Sequence, residues 1–596
     1  SKGRYKRYDL CWESKVLIET INKRIGLFIS SIDGINKDSI QIISNKFSTS
    51  ISEDLDKGHL TTNVCMIAAS VLKLNPKELA KELKDNLDDL DIFKDVQIAG
   101  PGFVNITLHK KEFVSVLNKI IKENKSFGES NIGAGRKVQI EFVSANPTGP
   151  LHVGHGRGAA YGDAIGRILK ATGSIVEKEY YINDAGRQID ILTASVILRV
   201  IQNKINSFFP QKAYKGHYID SIGREFISKN EIEYDDIDFI DKDLSSDPEE
   251  EIDQIILKLK KLDESIWSSV KTFSLDSIIE SIKNDLEDFN VYFDNWFYES
   301  SLGDLKNESS EISKSITKLT KEGKTYKKDG AIWLDTESAG DDKHRVLVRE
   351  DGRATYFASD VAYHKNKIDR GYDDLINVWG ADHHGYIKRI EASIDAIGSK
   401  KEKLIVKLVQ FANLFKNGKS VKMSTRSGEF FTLRELLEDI GSDAARFYYL
   451  SKQADQHLDF DLDLAKSDSK ENIFYYIQYA HARIFSLEQK YKEMYPNLDI
   501  NIESIEKDLY KKCDSLIHEI SKYPHIINKS ARTLQPHIII FYLRDLSQLL
   551  HSYYNDNHVL SESKENMQSI ILCLSALRQV ISNGLGILGI SPMQRM

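Results

Sequence analysis

Cysteine is almost missing from this sequence: there are 4 in 596 residues, Cys11, Cys65, Cys513 and Cys573, and no two stand at CxxC spacing. That scarcity excludes a disulfide framework and a cysteine-ligated zinc site together, and it leads us to expect a reducing, cytoplasmic setting. Proline is sparse as well, at 10. There is no low-complexity tract and no short-period repeat, so fibrous and solenoid architectures drop out. Long apolar runs are also lacking. The most apolar late stretch, Ile570 to Ile590, is broken by Arg578, Gln579 and Asn583. No N-terminal run resembles a signal or transit segment, so a protein with no membrane span is expected. Finally, the chain lacks a bulk positive field, its net charge being −8, so a nucleic-acid partner has to be met by local basic surfaces. What remains is an ordinary globular balance, 41% hydrophobic and 29% charged. The length suits roughly three to five domains.

Residues Ser1 to Arg7 carry Lys2, Arg4, Lys6 and Arg7 behind no initiator methionine, and read as a remnant or processed end outside the fold. From Trp12 to Lys122, VLIETINKRI has helical spacing and VQIAGPGFVNITL is two β-rich runs around a GPG turn, which predicts a small α+β domain. RKVQIEFVS then reads as a strand, NPTGPLHVGHGRG as a glycine loop, and AAYGDAIGRILKATG as a helix: the opening of a Rossmann-type nucleotide fold. Glu231 to Asp253 holds 12 acidic residues against one lysine and is expected to be a solvated insertion outside the core. Strand signals resume at AIWLD, RVLVRE, ATYFASDVAYH and DLINVWGADHHG, where the parallel sheet is expected to be completed. Beyond Ser469 the pattern is helical to the end.

Two segments carry chemistry. In the first, Glu141 to His155, two imidazoles, His152 and His155, flank Val153 and Gly154 at the mouth of a helix. Backbone N–H groups and the helix dipole favour a phosphate there, and the imidazoles can donate to a triphosphate as its α,β bridge breaks. Gly154 is expected to let the backbone approach that ligand. A rival reading uses the same residues, because Gly154, Gly156 and Ala159 fit a GxGxxG/A dinucleotide fingerprint with Glu177 as the ribose carboxylate. That reading describes a nicotinamide-dependent oxidoreductase. The second segment is a glycine-flanked basic loop, Lys416 to Gly428, with Lys419, Lys422 and Arg426. Cations on a closing loop suit a pentavalent α-phosphate and departing pyrophosphate, and a hydride-transfer enzyme has no use for them.

The HVGH and KMSTR pair resembles the HIGH and KMSKS elements of class I aminoacyl-tRNA synthetases. EFVSANPTGPLHVGHGRGAAYGDAIGRIL, EYYINDAGRQID, DDKHRVLVREDG, INVWGADHHGY, SDAARFYYL and HLDFDLDLAK are similar to bacterial arginyl-tRNA synthetase along essentially the whole chain. The resemblance implies a multidomain α/β protein. It would have an N-terminal small α+β domain contacting the tRNA corner over 8–122 and a class I Rossmann-type catalytic domain over 123–400 with an insertion about 195–295. A KMSKS-loop and stem-contact region would span 401–468 and an all-α helical anticodon-binding bundle 469–596. It implies ATP and Mg²⁺, arginine and tRNA(Arg) as ligands, a monomer, and a need for tRNA in the first step.

By position, the resemblance places His152, His155, Lys422 and Arg426 in catalysis. ATP would be held by His152, Gly154, His155, Asp382, His384, Lys422, Met423 and Ser424, and arginine by Glu141, Ser144, Asn146, Tyr356, Asp360 and His384. Asn146 suits the α-amino end, while Tyr356 and Asp360 suit the guanidinium, a planar five-donor cation best discriminated by carboxylates. Two departures stand out. Thr425 occupies a position where the family motif often has lysine, so charge there must come from Lys419, Lys422 or Arg426; and WGADHHG, Trp379 to Gly385, sits where some relatives have glutamine. The adjacent histidines with Asp382 find no further ligand at metal spacing, so no resident metal site is expected. Besides the oxidoreductase, the other alternative is a non-catalytic tRNA-binding paralogue.

Overall fold

The computed structural model describes residues 14–52, 55–88, 93–201, 208–230, 240, 242–398, 403–421, 431–496 and 511–596. The first domain packs α1 (Ser14–Ser30), α2 (Lys37–Lys46), α3 (Val64–Leu72) and α4 (Pro76–Asp88) on a four-stranded sheet. Its strands are β1 (Thr49–Ile51), β2 (Leu60–Thr62), β3 (Phe93–Ala99) and β4 (Phe103–Leu108), in the antiparallel order β1-β2-β4-β3. β3 and β4 turn at Gly100–Pro101–Gly102, where Gly102 has φ +148 and an added Cβ would lie 2.9 Å from the Pro76 Cβ. Glycine is needed there on both counts. Helix α5 (Lys110–Glu123) leads out of this α+β unit.

The second domain is built on five parallel strands. They are β5 (Lys137–Glu141), β6 (Ile175–Ile182), β7 (Asn295–Tyr298), β11 (Asp374–Gly380) and β12 (Leu404–Val409), in the order β12-β11-β5-β6-β7. Helix α6 (Val153–Ala171) returns from β5 to β6. Between β6 and β7 run α7 (Arg187–Ile201), α8 (His217–Lys229), α9 (Pro248–Leu262) and α10 (Glu264–Asp288), and α11 (Glu311–Lys321) follows β7.

Three expectations are corrected here. AIWL and RVLV do not join the parallel sheet. With β8 (Thr325–Lys328), they form a separate antiparallel sheet as β9 (Ala331–Leu334) and β10 (Arg345–Val348). TYFASDVAYH is not a strand but opens helix α12 (Tyr356–Asp369), with the Thr355 side chain accepting from Ala358 N–H as N-cap. Its β-branched and aromatic start mimics a strand, while the cap and the spacing of Asp360, His364 and Lys367 decide for a helix. The acidic stretch is not all solvated. Asp247 caps α9, which buries Ile252, Ile255, Ile256 and Leu259 against the core; residues 231–239 and 241 lie outside the described residues.

Helix α13 (Ile387–Ala396) precedes β12. Beyond it, β13 (Ala412–Lys416), β14 (Lys419–Ser420) and β15 (Leu458–Asp461) form a small mixed sheet flanked by α14 (Leu433–Ile440), α15 (Ser442–Leu450) and α16 (Leu462–Lys466). The chain ends in a helical bundle of α17 (Ile473–Met494) with the helices Asp514–Ser521, Tyr523–Thr533, His537–Asp556 and Lys564–Ile587. The last of these is long and apolar enough to cross a membrane by length and composition. Here it is a bundle helix with Ile570, Cys573, Leu574, Leu577 and Ile581 buried. Each such side chain contributes about 1.5–3 kcal/mol if fully transferred from water.

The bundle is keyed to the catalytic sheet by charge. Arg446 on α15 and Asp163 on α6 are both fully buried and joined at 2.6 Å, and Arg446 also donates to the carbonyls of Phe289 and Leu588. Burial alone would push the Asp163 carboxyl up, but Arg446, Arg167 and Lys178 outweigh it and hold it below its ordinary range.

Candidate active site

β5 ends at Glu141, and the chain leaves the sheet through a strained turn. Ser144 N–H donates to Phe142 O at 3.0 Å, with Val143 at φ +65 and Ser144 at φ +44. A β-branched residue rarely adopts such a φ, and strain of this kind persists only where neighbours enforce it. Ser144 is the enforcer: its hydroxyl donates to Glu141 Oε1 at 3.1 Å and accepts from Tyr181 N–H at 3.1 Å. Asn146 then donates to Gln188 Oε1 at 2.8 Å.

His152 is the N-cap of α6, so both histidines sit on its first turn. His152 Nδ1 accepts from Gly154 N–H at 3.1 Å, and His155 Nδ1 accepts from His152 N–H at 3.2 Å; the ring centroids are 3.8 Å apart. An accepting Nδ1 puts the proton of each neutral ring on Nε2, a donor suited to a phosphate oxygen. Burial lowers the pKa of both, and for His155, with His152 beside it, to about 3. Both rings are therefore neutral donors at physiological pH. An added Cβ on Gly154 would stand 2.7 Å from the His152 ring, so glycine is required there for the imidazole to fold back as a cap. The dinucleotide reading fails on the same geometry. Gly154, Gly156 and Ala159 all lie within α6, not in a strand-to-helix turn, and Glu177 pairs with Arg370 at 3.3 Å from within β6.

Lys422, Met423, Ser424 and Arg426 lie outside the described residues, but both ends of their segment are fixed. On one side, Val421 N–H donates to Leu414 O at 2.7 Å. On the other, Val153 N–H donates to Phe431 O at 3.0 Å, Leu433 N–H donates to Leu151 O at 2.8 Å, and His152 and Thr432 form an antiparallel bridge. The histidine turn and the returning end of the basic segment are one backbone unit. Thr432 and Glu435 close it with a capping box on α14, and Arg434 binds Asp285 at 2.7 Å, tying it to α10.

The acidic residues gather where β5, β6 and β11 face α12. Glu141 accepts through Oε2 from Lys367, which is fully buried. Asp360 accepts from the Tyr386 hydroxyl. Burial, with Glu141 and Glu299 nearby, pushes the Asp360 pKa up to about 7 against the pull of that hydrogen bond. Tyr356, 65% exposed, rims a cavity of about 290 Å³ with Gly186, Glu299, Arg349 and Ser359. Asp382 and His384 are on the 3₁₀ turn Ala381–Tyr386, directly beyond the carboxyl end of β11. Asp382 lies 3.6 Å from His383, while His384 lines a different cavity of about 360 Å³ with Arg157, Tyr161 and His537.

The fold thus brings Glu141 and Ser144 at the end of β5 near Asp360 on the facing helix α12, with His152 and His155 at the helix mouth that follows β5 in the chain. Among the described residues, no three or more His, Cys, Asp or Glu side chains converge as a metal site. Sequence reasoning missed Lys367, Tyr386 and Glu299. For Lys367 the signal was its spacing from Asp360 and His364 on one helix face, hidden by the strand reading of that segment.

Comparison with known proteins gives three matches along the chain. Residues 19–108 match the arginyl tRNA synthetase N terminal domain, 116–462 the class I (R) tRNA synthetase catalytic domain, and 477–596 the DALR anticodon binding domain. The arginine–tRNA ligase of Hydrogenovibrio crunogenus is 41% identical over 584 residues, covering 95% of this chain and 98% of its own. That of Legionella pneumophila (strain Corby) is 43% identical over 556 residues, covering 91% and 94%. The solved Thermus thermophilus arginyl-tRNA synthetase superposes with a TM-score of 0.73 at 19% identity, covering 97% of this chain and all of that one, a likeness of fold.

Proposed function

The chain belongs to the arginyl-tRNA synthetase family, and from that premise we propose how its own residues carry the reaction. The protein is an arginine–tRNA ligase, a class I synthetase that uses ATP to join arginine to tRNA. The arginine carboxylate attacks the α-phosphate of Mg²⁺-bound ATP, a P–O bond forms, the α,β bridge breaks and pyrophosphate leaves. The terminal adenosine hydroxyl of tRNA(Arg) then takes the arginyl group, releasing AMP.

In this reading, the Nε2–H groups of His152 and His155 donate to triphosphate oxygens, and Lys422 and Arg426, with Met423 and Ser424, close on the developing negative charge. No general base is needed, because the nucleophile is already a carboxylate. Asp360 and Tyr356 take the guanidinium; Glu141, Ser144 and Asn146 line the amino-acid side; Asp382 and His384 serve the adenosine end. Mg²⁺ arrives with the triphosphate as part of the substrate. Residues 8–122 bind the tRNA corner, 123–400 carry catalysis with the insertion about 195–295, 401–468 carry the basic loop and stem contact, and 469–596 read the anticodon. A monomer suffices, since one chain supplies every group named, and a cytoplasmic protein without membrane attachment accords with the free thiols of Cys65, Cys513 and Cys573.

The observation that carries this reading is the backbone pairing of Leu151–Val153 with Phe431–Leu433, which roots the basic segment on the histidine turn. Amino-acid-dependent pyrophosphate exchange, run with each standard amino acid with and without tRNA, tests it. Exchange specific to arginine is expected; its absence even with tRNA(Arg) sinks the proposal.

A further inference from the structure

Glu141 is the first pocket residue the chain supplies, yet its carboxylate is not left to the substrate alone. Lys367 reaches it from three turns along α12, beyond Asp360. The ammonium is fully buried, bonds Glu141 Oε2 and Asn377 Oδ1, the latter at 2.9 Å, and lies 4.4 Å from the centre of the Tyr363 ring. Asn377 passes the contact on: its Nδ2 is 2.9 Å from His364 Nε2, and His364 Nδ1 is 2.8 Å from the carbonyl oxygen of Asp360. Each member from Lys367 to His364 is buried. The relay therefore runs unbroken from the side chain of Glu141 on β5, across β11, to the main chain of Asp360 on α12.

Desolvating an ammonium is costly unless its bonds are made, so this lysine fixes its partners in one geometry. The Asn377 amide has one arrangement that satisfies both neighbours, its oxygen toward the ammonium and its nitrogen toward the imidazole. That leaves His364 Nε2 as acceptor and its Nδ1 as donor to Asp360 O. Burial, with Lys367 nearby, lowers the His364 pKa to about 3, so the ring stays neutral and this polarity does not invert near neutral pH.

We propose that Lys367 is a positioning residue for arginine: through Glu141 on one side and Asn377–His364 on the other, it sets the separation and orientation of the two walls that hold the amino acid. This rests on the reading of Glu141 and Asp360 as arginine ligands. Lys367 touches no substrate itself, and its effect falls on arginine and not on ATP, whose histidine turn lies outside the relay.

The test is steady-state kinetics of arginine-dependent pyrophosphate exchange on the full chain with tRNA(Arg), varying arginine and ATP separately, with a thermal melt of each variant. Lys367→Met is expected to raise the arginine KM about a hundredfold, the scale of a misplaced reactant, with the ATP KM unchanged. Asn377→Asp keeps the side chain's size and the ammonium's partner but turns the amide donor to His364 Nε2 into an acceptor, so it breaks the relay at its middle while the lysine stays paired. By offering a second carboxylate that competes with Glu141, it is expected to raise the arginine KM roughly tenfold with the ATP KM unchanged, a split that a general loss of folded protein would not give. An unchanged arginine KM in both variants, or arginine and ATP KM values rising together, overturns the proposal and leaves Lys367 a purely structural residue. Wild-type protein without arginine-dependent exchange overturns the family reading first, and this inference with it.

Discussion

The two faces of the catalytic sheet are held by volume and by charge in different proportions. Against one face, α6 packs close mainly through small residues, its one buried carboxylate, Asp163, pairing with Lys178 of β6 at 2.8 Å. An added Cβ on Gly162 would fall 2.2 Å from the Phe142 ring, and one on Gly166 would lie 3.3 Å from Lys178 and 3.5 Å from Ile140. Ala159, Ala160 and Ala164 are buried alongside them. Against the other face, α12 meets Glu141, Glu179 and Asn377 with Tyr363, His364, Lys367 and Arg370, a layer of buried charge and hydrogen bonds. Burial alone would push the Glu179 carboxyl up, yet Arg370, Lys367 and Tyr363 together hold it below its ordinary range. The lesson is a division of labour. The face fixed mainly by volume sets down the histidine turn, whereas the face fixed by charge carries the Glu141–Lys367 pair, beside the slot proposed for a cationic amino acid.

The comparison makes opposite demands on substitutions. The largest expected effect is on the charged face: Arg370→Met leaves the fully buried Glu179 without its guanidinium and is expected to cost about 3–5 kcal/mol, read as a loss of denaturation free energy. A loss under about 1 kcal/mol would break the distinction between the faces. Next, His155→Ala removes a donor held by the close-packed helix and is expected to lower kcat of pyrophosphate exchange about 10²–10³-fold with the arginine KM nearly unchanged. On the volume-fixed face, Gly162→Ala adds one carbon and no charge, yet is expected to destabilise by about 1–3 kcal/mol by overpacking Phe142, which a thermal melt would register. A neutral result would mean that α6 can slide.

The smallest effect sharpens the comparison by pH. With the Asp360 pKa near 7, its carboxyl is about half protonated in the free enzyme at neutral pH. Guanidinium binding favours the carboxylate, so arginine binding releases a proton. Below pH 7 the arginine Kd is expected to rise toward tenfold per pH unit and to level off above pH 8. Calorimetric titration in buffers of different ionisation enthalpy measures the released proton directly. The ATP Kd should stay flat over the same range as far as His155 is concerned, since that ring titrates near 3.

Much of this was legible in the chain. The strand RKVQIEFVS and the helical end follow from local rules, because alternation and helical periodicity are properties of neighbours in sequence, whereas HVGHGRG, read as a glycine loop, is the start of α6 with His152 as its cap. The second face was not. ATYFASDVAYH has the composition of a strand, which hid its N-cap and the helical spacing of Asp360, His364 and Lys367; what its polar inner face meets, Glu141, Glu179 and Asn377, is set by packing alone. β9 and β10 were assigned to the wrong sheet because short β-branched runs state that a strand exists, not which sheet it joins.

By itself, then, the sequence determined the order of the domains and the family to which the chain belongs, since both are written in contiguous motifs. Tertiary structure alone decided that residues 431–433 pair with the histidine turn and that Lys367 engages Glu141. These are contacts across dozens to hundreds of residues, and which groups meet there is set by burial and by the need to satisfy every desolvated charge. No local preference encodes that.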